Sequence, residues 1–150
     1  MKNRQNGVAL VEFALVLPLL LILTFIVTEY SRALYQYNVL TKSVRDAARY
    51  LSNQSPETKI TEAKNLVVFG SLTNTGVPLA YGLTLDQVPD PEWLPAGTAP
   101  VVNTVTIQIG YTTGLASQKY TFRPLFASVF GLNFRNMTFG PIRATMRAPS

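Results

Sequence analysis

From Val8 to Val27 the chain is apolar except at Glu12, Pro18 and Thr24. A helix rising about 1.5 Å per residue would cover roughly 30 Å over this run, the hydrocarbon thickness of a bilayer. Past Val27 the pattern changes from apolar all round to apolar along one side. Tyr30, Leu34, Tyr37, Thr41, Val44, Ala48 and Leu51 alternate spacings of four and three and define one stripe. Glu29, Arg32, Gln36, Lys42, Arg45, Asp46 and Arg49 fall on the other side, with Glu29 and Arg32 spaced as a surface pair. No Gly or Pro intervenes between Pro18 and Pro56. The pattern therefore predicts one helix from about Val8 to about Leu51, its first half in lipid and its second half packed on a domain. Pro18, well inside the span, is a candidate kink, because it removes one backbone hydrogen bond.

The rest of the chain reads as short elements. Ser55-Pro56-Glu57 has the chemistry of a helix start, and a second helix is expected from Pro56 to about Phe69, with Ile60, Ala63 and Val67 on one face and Gly70 as its stop. Pro and Gly are dense from Ser71 to Pro100, so this segment is expected to be exposed, with short strands around Leu79–Leu85 or an ordered loop. Val105, Ile107, Ile109 and Tyr111 alternate with Thr104, Thr106, Gln108 and Gly110, the signature of a half-buried strand. A reversal at Thr113-Gly114 would bring back Tyr120 and Phe122 as its antiparallel partner, ended by Pro124. Pro124 to Phe130 suggests one helical turn stopped by Gly131. Met137, Phe139, Ile142, Ala144 and Met146 suggest a last strand, with Arg143 and Arg147 in water. The expected fold class is α+β: a long N-terminal helix, transmembrane in its first half, packed on a small antiparallel sheet of about three strands.

Composition narrows the function. At 150 residues the chain has room for one span and one small domain. Hydrophobic residues make up 47%, but the N-terminal run supplies a disproportionate share, leaving a remainder of ordinary soluble character. Without Cys or His, thiol nucleophiles, disulfides, imidazole acid–base chemistry and Cys/His zinc sites are excluded, and neither an enzyme nor a cofactor is expected. The 13 basic residues against 8 acidic ones are scattered, without the basic cluster that nucleic acid would require. Lys2 and Arg4 precede the span, consistent with a cytoplasmic N-terminus.

Glu12 is the anomaly in the span. A carboxylate at the centre of a helix in lipid costs on the order of 2.5–3.5 kcal/mol on insertion scales, less near the interface, so it calls for a partner. Cleavage between Gly7 and Val8 would create one: the freed ammonium of Val8 would lie one helical turn from Glu12, on the same face. A basic leader, a Gly, four apolar residues and a Glu resemble the type IV prepilin motif. Arg4-Gln5-Asn6-Gly7-Val8-Ala9-Leu10-Val11-Glu12-Phe13-Ala14-Leu15-Val16-Leu17-Pro18 is similar to the TadE-like family of tight-adherence (Tad, or Flp) pilus systems. Asp46-Ala47-Ala48-Arg49-Tyr50, Tyr120-Thr121-Phe122-Arg123-Pro124-Leu125 and Ile142-Arg143-Ala144-Thr145-Met146-Arg147 resemble the same family less specifically.

The resemblance implies a minor pilin or pseudopilin with a leader at 1–7, a transmembrane segment at 8–28 and a pilin-like domain at 29–150 outside the bacterial inner membrane. Its implied partners are the membrane, a prepilin peptidase cutting after Gly7, other minor pilins, the major Flp pilin and the inner-membrane assembly platform. Glu12 would register each subunit against its neighbour in a filament. A secretory signal peptide is the competing reading of the segment, but its apolar core spans about 7–15 residues before a small-residue site, and Thr28-Glu29-Tyr30-Ser31-Arg32-Ala33 offers no Ala-x-Ala site. A functional alternative is a permanently anchored periplasmic binding module or enzyme using Asp86, Asp90, Glu92 and the Trp93 loop, with Trp93 as a contact surface.

Overall fold

The computed structural model describes residues 4–113, 116–118, 120–126, 128–129, 132–133 and 138–149. Helix α1 runs without a break from Arg4 to Leu51, with Pro18 inside it. The apolar half stands free of the rest of the chain: its most apolar 18-residue window has mean hydropathy 2.8, and none of that window is buried. A soluble core helix of such composition would be covered by protein. Here length, composition and exposure together fit a single-pass membrane anchor.

The other half of α1 carries the domain. Leu40, Val44, Ala47, Ala48 and Leu51 are buried against Ala63, Val67 and Val68 of helix α2 (Ile60–Phe69) and against the sheet. Ala47 and Ala48 are small enough to let both layers approach the helix. Strands β1 (Glu92–Ala96), β2 (Val102–Ile109) and β7 (Ile142–Arg147) form a three-stranded antiparallel sheet in the order β1-β2-β7. Val105, Ile107 and Ile109 of β2 face the core, as their alternation predicts. On the other face, Thr106 and Thr145 share a hydroxyl hydrogen bond of 2.7 Å across β2 and β7, the cross-strand pairing that antiparallel neighbours permit. Two short antiparallel ribbons complete the described strands: β3 (Tyr111–Thr113) with β4 (Ala116–Gln118), and β5 (Ser128–Val129) with β6 (Leu132–Asn133).

The structure corrects the sequence reading at several elements. The buried face of α1 between residues 29 and 40 passes through Glu29, Ala33 and Leu40, one position away from the predicted stripe; Tyr30, Leu34 and Tyr37 are exposed. The pattern counts tyrosines as core, whereas the domain returns to the helix where Ala33 leaves room for it. Helix α2 starts at Ile60 and not Pro56, because Glu57 and Lys59 both adopt positive φ, which interrupts helical geometry. Thr58 instead closes a turn onto the Ser55 carbonyl through both its backbone N–H and its hydroxyl. The stop is as expected: Gly70 sits at φ 71 and donates its N–H to the Leu66 carbonyl.

The segment from 71 to 100 is not wholly exposed. Ala80, Leu83 and Val88 enter the core, and the segment contributes β1 where its prolines suggested only breaks. Pro95 is tolerated because β1 is an edge strand, where a missing N–H can face outward. Around Leu79–Leu85 there is no strand; a single 3-10 turn follows at Leu85–Gln87. Gly97, at φ 90, lies between β1 and β2, and an added Cβ would come within 2.9 Å of the Pro100 carbonyl oxygen.

The partners of β2 are therefore β1 and β7, and the Tyr120–Phe122 segment is not its neighbour. Thr121 makes an isolated antiparallel bridge with Thr138. Where a helical turn is expected after Pro124, the described residues show a bend at Leu125 and Phe126 and then β5. Gly114, Gly131 and Met137 of the sequence reading lie outside the described residues.

Candidate functional site

The first half of the site is the free end of α1. Gly7, Val8, Val11, Glu12 and Leu15 share one face of the helix. A Gly inside a helix is about 0.8–1.0 kcal/mol less favourable than Ala, so its presence asks for a steric or conformational reason. None is found at Gly7: it does not adopt positive φ, and an added Cβ would meet nothing within 4 Å. Glu12, one turn beyond Val8 and exposed, has no ion-pair partner among the described residues. Among the described residues, neither is explained by contacts within the chain.

The second half is the point where the domain closes onto the helix just beyond the apolar run. Glu29 is only 1% exposed. Burying a carboxylate is costly unless donors surround it, and this one is surrounded. Arg32, one turn along α1, reaches both carboxylate oxygens through Nη1, at 3.3 Å from Oε1 and 3.0 Å from Oε2. The backbone N–H groups of Leu125 and Phe126 donate to Oε1 at 3.0 and 3.2 Å. One side chain thus holds together two segments almost a hundred residues apart in the sequence.

Aromatic contacts continue the seam in both directions. The Phe126 ring packs on Phe25 with centroids 4.7 Å apart, and the Arg32 guanidinium lies 5.7 Å from the Phe122 ring centroid. Higher on the helix, the Tyr120 hydroxyl donates its proton between Gln36 Oε1 at 3.0 Å and the Tyr81 carbonyl at 3.2 Å. Phe139 fills the space among Tyr37, Tyr120 and Phe122, with centroid distances of 5.6, 5.7 and 6.2 Å. Burial pushes the Tyr120 phenol above its ordinary value, with the positive charges of Arg123 and Arg32 working the other way. The segment from Tyr120 to Phe126 is thus a strap laid along α1 from Gln36 down to Phe25.

The sequence reading of Glu29 as half of a surface pair is corrected by this burial. The sequence signal, an acid one turn before an Arg, marks an ion pair and nothing more, because the other donors are backbone N–H groups of a distant segment. The other singled-out residues do not converge. Pro18 lies mid-helix in the free half of α1. Asp90 is largely exposed and bound to Lys64 of α2 at 2.9 Å, while Asp86 and Glu92 are exposed at the 3-10 turn and the start of β1. Trp93 is half-buried against the core, and its indole N–H has no partner among the described residues. No group of three or more Asp or Glu side chains placed to hold a metal is found among the described residues.

A family model described as TadE-like protein matches residues 7–49. The match opens on the glycine that precedes the span and covers the span together with most of the domain-bearing half of α1. No curated protein and no solved structure matches the chain.

The strap has a testable dependence on pH. Only the neutral Tyr120 phenol can donate to Gln36 and Tyr81, and its raised pKa means that the fold favours the protonated form. Its contribution is therefore complete below the ordinary tyrosine value of about 10 and disappears as pH rises through the raised value. Tyr120→Phe should lower stability by about 1 kcal/mol at neutral pH. In thermal unfolding of the detergent-solubilised protein, that deficit should close in the alkaline range as the wild type loses its advantage.

Proposed function

We propose that the chain, TadE-like over residues 7–49, is a minor pilin or pseudopilin of a tight-adherence pilus, matured by cleavage between Gly7 and Val8. The family match supports a component of a Tad pilus with one membrane-spanning helix. The observation that carries the finer reading is the pairing of Gly7 with Glu12 on an uncovered helix face, where neither residue serves the chain's own packing. A glycine that the helix does not need is accounted for if a peptidase must reach the backbone there. A carboxylate without a partner among the described residues is accounted for if cleavage makes an ammonium one turn away, on the same subunit or on a neighbour offset along a filament.

In this reading residues 1–7 are the leader, 8–28 cross the bacterial inner membrane with the N-terminus in the cytoplasm, and 29–150 form the domain outside. The chain works with a prepilin peptidase, with other minor pilins and the major Flp pilin, and with the inner-membrane assembly platform, and it catalyses no reaction itself. In the filament, burial between helices replaces burial in acyl chains. The exposed apolar surface of α1, from Val8 to Val27, is then available to neighbouring subunits without any refolding of the domain.

Intact mass of the protein from its native membrane tests the processing step. The wild type should lack residues 1–7, and a strain without the prepilin peptidase should retain them; a full-length chain in both would overturn the reading. Glu12→Ala should be exported and cut as the wild type is, yet yield far less filament in the sheared-pilus fraction. Undiminished assembly of that variant would rule out a registering role for Glu12.

A further inference from the structure

The strap ends in an apolar pair at an unusual level. Phe25 lies two positions before Val27, the last residue of the apolar run, and at about 1.5 Å per residue its backbone is about 3 Å inside the end of that run. Phe126 rests on Phe25, and beside it Leu125 is 68% exposed while Phe126 itself remains 38% exposed. Leu21, one helical turn before Phe25 and on the same side of α1, is exposed as well, so the pair adjoins apolar helix surface. Among the described residues, this is an exposed apolar edge.

The backbone behind the pair is finished in a way that water would not require. A loop facing water can leave its N–H groups to solvent, whereas one at a hydrocarbon boundary must satisfy them within the protein. Both N–H groups of this bend end on Glu29 Oε1. Two cationic side chains flank it: Arg123 precedes the bend and is exposed, its guanidinium over the Tyr81 ring at 5.5 Å, and the Arg32 side chain is 31% exposed while it binds Glu29. Basic groups just outside an apolar insertion suit an anionic headgroup layer.

We propose that Leu125 and Phe126 seat the folded domain on the bilayer, entering the boundary between headgroups and acyl chains in the leaflet where α1 emerges. The lipid surface is the occupant, since the pair lies at the level of a helix turn that is itself within the apolar run. The domain then has two points of attachment, the helix and the strap, and two points restrict its rotation about the helix axis as one cannot. The inference rests on residues 8–27 crossing the bilayer and is independent of the pilus assignment.

The chain contains no Cys, so single labels are unambiguous. Full-length Leu125→Cys, Phe13→Cys and Leu94→Cys would each carry a nitroxide label in vesicles of phosphatidylethanolamine and phosphatidylglycerol, with accessibility to oxygen compared with a water-soluble nickel chelate. Leu94 is exposed on β1, a strand of the sheet that packs on the far half of α1. The label at 125 should favour oxygen, as the one at 13 does, while the one at 94 favours nickel. Nickel preference at 125 with oxygen preference at 13 would overturn the seat and leave the span standing. Protection at 125 with spin–spin broadening that grows with protein density would assign the pair to a second copy, which also overturns the proposal. Nickel preference at 13 would remove the span and the seat together.

Discussion

The buried carboxylate of Glu29 is the constraint on which the rest of the arrangement depends. An unpaired carboxylate in this position would cost several kcal/mol, so its donors have to be in place. Arg32 reaches it only if α1 is helical through residues 29–32, the stretch where the free half of the helix passes into the domain-bearing half. The N–H groups of Leu125 and Phe126 reach it only if the strap returns to the foot of the span. Phe126, Phe122 and Tyr120 then find Phe25, Arg32 and Gln36 in sequence along the helix. A buried ion pair is weak as a source of net stability, but it is exacting about position.

That constraint joins two parts with different requirements. Between Val8 and Val27 the helix is mainly apolar and largely uncovered, with Phe126 of the strap reaching it at Phe25; between Leu40 and Leu51 it is an ordinary core helix under α2 and the sheet. Lipid can be exchanged for neighbouring helices around the first part while the second keeps its packing. Glu29 lies at the border of the two parts.

Much of this was legible in the sequence, and what was not has physical causes. The span, the continuous helix, the Gly70 stop and the inward face of β2 all rest on local periodicity or on one residue's backbone preference. The errors lie where nonlocal packing chose between local options. Tyr30, Leu34 and Tyr37 share a helical stripe as good as the buried one, and only the strap's approach selects Glu29 and Ala33 instead. Pro91 and Pro95 read as breaks until β1 is known to be an edge. Tyr120 and Phe122 alternate like a strand, yet their side chains serve α1 and Phe139 and not β2. Gly7 and Glu12 stand out by their spacing as candidates, whereas the role of Glu29 could not be read, because its donors include backbone groups that no residue type announces.

Amide hydrogen exchange at Leu125 and Phe126, compared between the wild type and Glu29→Gln in lipid, tests the central claim most directly. If Glu29 closes the domain onto the helix, both amides are protected in the wild type and lose protection in the variant, while those of β2 remain slow. Equal exchange at the two amides in both proteins would contradict it, and the strap would then be held by its aromatic contacts alone.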